Sequence, residues 1–165
     1  MSDRSIYFAS VKTRLGVFQI ATTERGVIKI NFPNQRKSIW RGNKTSKEAA
    51  KIIGASKQFL KRFISGQGYQ DNKIKIDWSI FKDFDRRVLM ALKKVPPQTT
   101  ISYSELAKRA NVPHAARAVG NPLNPNPIPI LIPCHRIVRK DKSLGGYAGG
   151  IRWKQALLKL EHNHH

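Results

Sequence analysis

Five of the nine prolines in this 165-residue chain fall within residues 121–133, as Pro122, Pro125, Pro127, Pro129 and Pro133. Each fixes its own φ, removes a backbone donor and biases the preceding residue toward extended conformations. No long helix or central strand survives such a stretch. The segment predicts a rigid loop, and it delivers the run Ile132-Pro133-Cys134-His135-Arg136-Ile137-Val138.

Cys134 is the one cysteine of the chain. A single thiol cannot form an internal disulfide, a cysteine-rich zinc site or a dithiol redox pair. It is either a core residue, which its neighbours Ile130, Leu131 and Ile132 would suit, or a nucleophile. With an ordinary pKa near ~8.5 a thiol is only slightly ionised at neutral pH, so a nucleophilic cysteine needs a proton acceptor. His135 is the candidate. Adjacent side chains diverge on a strand, so the two work together only if the backbone turns or a water bridges them. Glu161 would then orient or charge-stabilise the histidine, giving a Cys–water–His–Glu relay akin to hydrolase triads. The bland alternative is a buried cysteine beside a structural histidine.

The pattern changes near residue 80. Before it, Ile6–Thr22 and Gly26–Phe32 alternate apolar and polar residues around turns at Thr13–Gly16 and Thr23–Gly26, predicting an antiparallel meander. A polar stretch, Asn34–Lys44, leads to Thr45-Ser46-Lys47-Glu48, read as a capping box opening a helix that Ser65–Gly68 stops. Lys73–Trp78 alternates like one more strand. Beyond residue 80, Phe84, Val88, Leu89 and Leu92 share a helical face until Pro96-Pro97. Ser102-Tyr103-Ser104-Glu105 caps another helix, and a second short one is expected over Ala115–Gly120, a helix-turn-helix outline. A last helix, roughly Gly150–Glu161, is expected to turn Trp153, Leu157, Leu158 and Leu160 inward. The expected fold is a two-domain mixture of α+β and α/β elements. Residues 1–80 form an antiparallel sheet with a helix, and residues 81–165 a mainly helical domain.

Lys and Arg number 31 against 10 Asp and Glu, a formal charge of +21. The excess is spread evenly: 16 basic against 5 acidic residues over 1–80, and 15 against 5 over 81–165. A basic tail would concentrate it, so a folded basic surface is expected, the footprint of phosphate-backbone binding. The sequence shows neither an apolar run of membrane-spanning length nor a leader at Met1–Ser10, so a soluble cytoplasmic protein is expected, nucleoid-associated in a prokaryote. His162-Asn163-His164-His165 has the look of an expression tag, and no metal site is read from it.

Pro133-Cys134-His135-Arg136, preceded by Asn126-Pro127 and by Arg117-Ala118-Val119-Gly120, resembles the O6-alkylguanine-DNA alkyltransferases, also called methylated-DNA–protein-cysteine methyltransferases. The resemblance covers about residues 81–161, with Tyr103, Arg117, Asn126, Cys134, His135, Tyr147, Lys154 and Glu161 at family spacing. It implies a ribonuclease H-like N-terminal half and a stoichiometric reaction in which Cys134 takes an alkyl group permanently from guanine O6, and from O4-alkylthymine. His135, through a water and backed by Glu161, would accept the thiol proton, Tyr147 would stabilise the leaving guanine, and Asn126 would hold the preceding turn. The carbonyls of Cys134 and Ile137 would accept from the exocyclic amine of the base.

The target base must be flipped from the duplex. The resemblance assigns DNA contact to Ser102, Tyr103, Ala115, Ala116, Arg117, Gly120 and Arg136, with Arg117 filling the vacated stack and the second helix in the minor groove. It lines the base pocket with Leu123, Pro129, Ile137, Gly145, Gly146, Ala148 and Lys154. Neither cofactor nor metal is implied, nor an obligate protein partner; a monomer acting on double-stranded DNA that contains O6-alkylguanine is. Two departures stand out. Asn121-Pro122-Leu123-Asn124-Pro125 replaces a segment usually small and proline-free, and Ala148 stands where a hydroxyl residue is frequent. Two other readings stay open: a non-catalytic DNA-binding module with an inert cysteine, and a cysteine hydrolase that would turn over repeatedly.

Overall fold

Buried side chains two residues apart, such as Phe18, Ile20 and Thr22, build the first sheet. Strands β1 (Tyr7–Thr13), β2 (Gly16–Thr22) and β3 (Val27–Asn31) pair antiparallel in the order β1-β2-β3. Thr13 sits opposite Gly16, whose φ of 117° closes the first turn. A Cβ there would stand 2.7 Å from Pro33, so only glycine fits. Val11, Phe18 and Ile20 point inward and are at most 2% exposed. The computed structural model describes residues 4–33, 35, 44–71 and 73–163. The chain divides into two units, Met1–Ile80 and Phe81–His165.

Helix α1 (Lys47–Ile64) packs on β1 and β2 through the face carrying Ile52, Phe59, Leu60 and Phe63. Phe59 and Phe63 stack at 6.1 Å, and Tyr69 meets both edge-on. Burial of each such ring contributes roughly 1.5–3 kcal/mol. The N-cap expected at Thr45 lies one residue later. Ser46 is the N-cap, its Oγ accepting from the Ala49 amide at 3.2 Å, which leaves Glu48 to favour the positive end of the helix.

Lys73–Trp78 is not a strand. Its one ladder contact is a bridge between Val27 and Ile76. The Asp77 carboxylate accepts from Thr23 Oγ1 at 2.7 Å and from the Ser79 amide at 3.2 Å, bending the chain into a 3₁₀ turn at Trp78–Ile80. Of the polar stretch Asn34–Lys44 only Gln35 and Lys44 are described; the rest, with His164 and His165, lies outside the described residues.

The second unit runs α2 (Asp83–Lys93), β4 (Ile101–Ser102), α3 (Tyr103–Arg109), α4 (Gly120–Leu123), β5 (Ile137–Val138) and α5 (Ile151–His162). Ser102 caps α3 as expected, its Oγ accepting from the Glu105 amide at 3.2 Å. The helix expected over Ala115–Gly120 is a succession of turns. Val119 donates to the Ala115 carbonyl at 3.0 Å, but Gly120 and Asn121 donate only three residues back, to Arg117 and Ala118. Regular α structure begins only at Gly120, with Pro122 in the first turn of α4, where no amide is needed, and Pro125 just after the C-cap Asn124.

The parallel pair β4–β5 escaped the sequence pattern because two residues show no periodicity. Ile101 pairs with Ile137 and Ser102 with Val138. This ties the segment just after Arg136 to the cap of α3. Helix α5 buries Leu157 and Leu160 but leaves Trp153 and Leu158 half-buried. Lys154 and Glu161, on the same face as Leu157, take the inward places and are 1% and 0% exposed. Among the described residues no helix is long and apolar enough to cross a membrane.

Candidate active site

The proline loop sets the position of the thiol. Leu131 donates to the Pro129 carbonyl at 2.9 Å and Ile132 to that of Ile128 at 3.0 Å. Between these turns Ile130, fully buried, holds a φ of 74°. A β-branched residue in the left-handed region stores about 1–3 kcal/mol, and here the packed loop enforces it. Asn126 closes the arrangement: its Nδ2 donates to the Ile132 carbonyl at 3.0 Å and to Cys134 Sγ at 3.2 Å, while its Oδ1 accepts from the Ile128 amide at 3.0 Å. One side chain thus fixes both ends of the turn and touches the sulfur.

Cys134-His135-Arg136 is a 3₁₀ turn, not a strand, so the backbone does turn between the thiol and the imidazole. Cys134 is 8% exposed and His135 fully buried. His135 Nε2 lies 2.8 Å from Glu161 Oε1. Glu161 also accepts from Arg136 Nε at 2.9 Å and Nη2 at 2.5 Å, and from the Gln98 amide at 3.2 Å. Arg136 Nη1 donates to the Val95 carbonyl at 2.6 Å. Arg136, expected on the DNA side, is therefore a buried ion-pair partner, 1% exposed. The reason is electrostatic: a carboxylate sunk in the core needs a full positive charge beside it, and a bidentate guanidinium meets that need.

Protonation follows from these contacts. Burial opposes the charge on Glu161, but the hydrogen bonds from His135 and Arg136 together outweigh it and hold the carboxyl at about 2, against an ordinary 4.5. An ionised carboxylate only accepts, so His135 Nε2 must carry the proton and Nδ1 the free lone pair. Burial also pushes His135 below its ordinary 6.5, more strongly than Glu161 raises it, which keeps the ring neutral. Nδ1 is buried with no hydrogen-bond partner among the described residues. Burial raises the Cys134 thiol above its ordinary value, against the pull of Asn126, Tyr147 and the Lys154 charge. The resting sulfur is a neutral thiol next to a neutral imidazole.

Lys154 is anchored by donating from Nζ to the Ile137 carbonyl at 2.6 Å and to the Leu144 carbonyl. Burial lowers its pKa and Cys134 partly restores it. Burial and then Cys134 drive the Tyr147 phenol well above 10.0, so it stays a donor. Leu123, Pro129 and Ile137 are buried, whereas Gly146 and Ala148 are exposed. Gly145 holds a φ of 69° beside Arg139, a position a side chain would strain.

A separate cleft of about 440 Å³ joins Ser102, Tyr103, Ala116, Arg117 and Gly120 to Arg139 and Lys140. Ala115, half-buried, is not among its lining residues. The ring of Tyr103 lies beside Gly120, 3.7 Å from where a Cβ would stand. Arg139 and Lys140 were missed as site residues. Their signal was the two adjacent cations directly after the buried Ile137-Val138 pair. Arg136 and Lys154 also left a signal, each being a lone cation on an apolar face or run with Glu161 as the acid of α5.

The family model described as 6-O-methylguanine DNA methyltransferase, DNA binding domain, matches residues 83–163. The methylated-DNA–protein-cysteine methyltransferase of Methanosarcina acetivorans is 34% identical over 156 residues, spanning 94% of this chain and 98% of that protein. Among solved structures, the O6-methylguanine methyltransferase of Mycobacterium tuberculosis superposes with a TM-score of 0.78 at 27% identity, covering 98% of this chain and 95% of that one. The OGT protein of the same organism in complex with DNA gives 0.77 at 28% identity, covering 95% and 94%.

Proposed function

This chain belongs to the methylated-DNA–protein-cysteine methyltransferase family, and from that premise we propose that it repairs DNA by moving an alkyl group from O6-alkylguanine in a duplex onto Cys134, once. Cys134 Sγ attacks the alkyl carbon as the bond to O6 breaks, and the bonding electrons leave with the guanine. The thiol proton passes through a water to His135 Nδ1, whose basicity is held by the Nε2–Glu161 hydrogen bond. Tyr147 donates a hydrogen bond to the departing ring. The carbonyls of Cys134 and Ile137 receive the exocyclic amine. Each already accepts one hydrogen bond, from the Ile137 amide and from Lys154, and keeps a second lone pair. O4-alkylthymine fits the same displacement.

The observation that carries this reading is a buried thiol one residue from an imidazole whose Nε2 is held by Glu161 while its Nδ1 has no hydrogen-bond partner among the described residues. Leu123, Pro129, Gly145, Gly146, Ala148 and Lys154 are the proposed surroundings of the base. Ser102, Tyr103, Ala115, Ala116, Arg117 and Gly120 form the proposed DNA-facing side, with Arg117 occupying the stack that the flipped base leaves. α3 and the turns into α4 serve as a shortened helix-turn-helix laid in the minor groove. Residues 81–165 carry binding and chemistry, and the sheet and helix of residues 1–80 form a ribonuclease H-like supporting domain. The protein acts as a monomer in the compartment that holds the DNA.

The test is a Cys134→Ala variant on a duplex holding one O6-methylguanine. Loss of all demethylation with duplex affinity within about threefold of wild type is expected, because binding rests on phosphate contacts. Continued demethylation would remove Cys134 from the chemistry.

A further inference from the structure

The proposed site draws its cations from the second unit only. Residues 1–80 nevertheless hold 16 basic against 5 acidic side chains. Part of that excess converges on a cleft of about 520 Å³ formed where the β1–β2 turn meets the end of α1. Lys12, Arg14, Lys61 and Arg62 line it, together with Val17, which is 43% exposed. No carboxylate is among the lining residues. Arg14 is held in place, its Nε donating to the Ile64 carbonyl at 2.7 Å.

Neutralising the negative end of α1 explains part of this, since Lys61 and Arg62 lie in its last turn and Arg14 takes a terminal carbonyl. It does not explain Lys12, which projects from β1 into the same cleft, nor Val17, an apolar side chain kept at the surface. The cleft is open and lined by long cations, Lys12, Arg14 and Lys61 exposed and Arg62 half-buried, whereas a small-molecule pocket converges buried polar groups on its ligand. Clustered cations around an apolar wall match a nucleic-acid strand, whose phosphates carry the charge and whose sugars are apolar.

We propose that this cleft in the first unit is a second contact for the phosphate backbone of duplex DNA, separate from the lesion-reading cleft around Arg117. The inference rests on the DNA repair reading above. In it, residues 1–80 support the fold and also add backbone affinity without reading sequence.

The experiment compares Lys12→Gln/Lys61→Gln/Arg62→Gln with a control of equal charge change, Lys44→Gln/Lys47→Gln/Lys51→Gln. Arg14 stays, because it caps α1. Affinity for an undamaged duplex is measured across salt concentrations, and reaction with free O6-benzylguanine checks that each variant is folded. Each lost phosphate contact flattens the slope of log K against log salt by about 0.9, so a flattening of about 2 and at least tenfold weaker binding are expected for the cleft variant, and little for the control. An unchanged slope, or equal loss in both variants, overturns the proposal. So does tight binding of a mononucleotide to the wild type that the cleft variant abolishes. Wild-type protein that fails to bind duplex at all would instead break the repair reading.

Discussion

Arg117 and Arg136 carry the same group in opposite surroundings. Arg117 stands exposed on the rim of an open cleft, while Arg136 is 1% exposed and committed to Glu161 and the Val95 carbonyl. Interactions at the first are screened by salt and water, and those at the second are not. The difference separates two jobs. The buried cluster bears on a protonation state, and the open cleft is the side proposed to meet DNA.

The largest effect is expected where the buried cluster is broken. Arg136→Met leaves Glu161 charged in the core, a loss of about 3–5 kcal/mol in stability by denaturant unfolding. Arg136→Met/Glu161→Met should regain much of it, since two packed apolar side chains replace a pair that was costly to desolvate. The double variant should still transfer alkyl groups at least about a hundredfold more slowly, having lost the acceptor that orients His135. Full activity in the double variant would assign the cluster to stability alone.

On the open side, Arg117→Ala should slow transfer from duplex DNA by about ten- to a hundredfold, reflecting a few kcal/mol of unstacking left without a substitute. Free O6-benzylguanine needs no flipping, so its reaction rate should barely change. Equal loss on both substrates would make Arg117 part of the same structural unit as Arg136 and erase the distinction.

Acid should also act on the buried side. The folded pKa of His135 lies below its ordinary 6.5, so as pH falls through 6.5 the unfolded chain takes up a proton that the folded chain refuses, and stability drops. Glu161 then adds its share: its stabilisation is present above 4.5 and is lost as pH falls from there toward about 2. Melting temperature should therefore decline from pH 6.5 downward, and the transfer rate should fall with an inflection below 6.5, where His135 ceases to be a base. An Arg117→Ala protein should show the same pH dependence as wild type.

The smallest effect belongs to the α3 cap. Ser102→Ala removes the acceptor for the Glu105 amide, a loss of about 1 kcal/mol. Melting curves should record it, and duplex affinity should fall modestly because Ser102 also lines the open cleft.

Much of this was legible in the sequence, and the exceptions have physical causes. The meander, the Ser102 cap and the proline loop follow from local rules, because alternation, capping and fixed φ are written in adjacent residues. Cys134, His135 and Glu161 could be grouped by their chemistry. The Arg136–Glu161 pair could not be fixed by local rules, since it joins a turn to a helix 25 residues on. In sequence, an arginine next to a reactive cysteine reads equally well as a DNA contact. The second short helix failed for a different reason. It was expected over Ala115–Gly120, but the amides of Gly120 and Asn121 bond only three residues back, and regular α structure starts at Gly120 instead. Lys73–Trp78 alternated correctly and was bent by Asp77, whose carboxylate offered the backbone a better partner than a neighbouring strand.

The central claim is that Cys134 is the acceptor and is used once. A thioether has no acidic proton and is a poor leaving group, and the chain holds no second cysteine to release it. Intact mass and peptide mapping during titration with excess O6-methylguanine duplex test this directly. The account predicts one methyl per chain, located on Cys134, and no further demethylation once that equivalent is consumed. Sustained turnover beyond one equivalent, or a methyl group on any other residue, would contradict it.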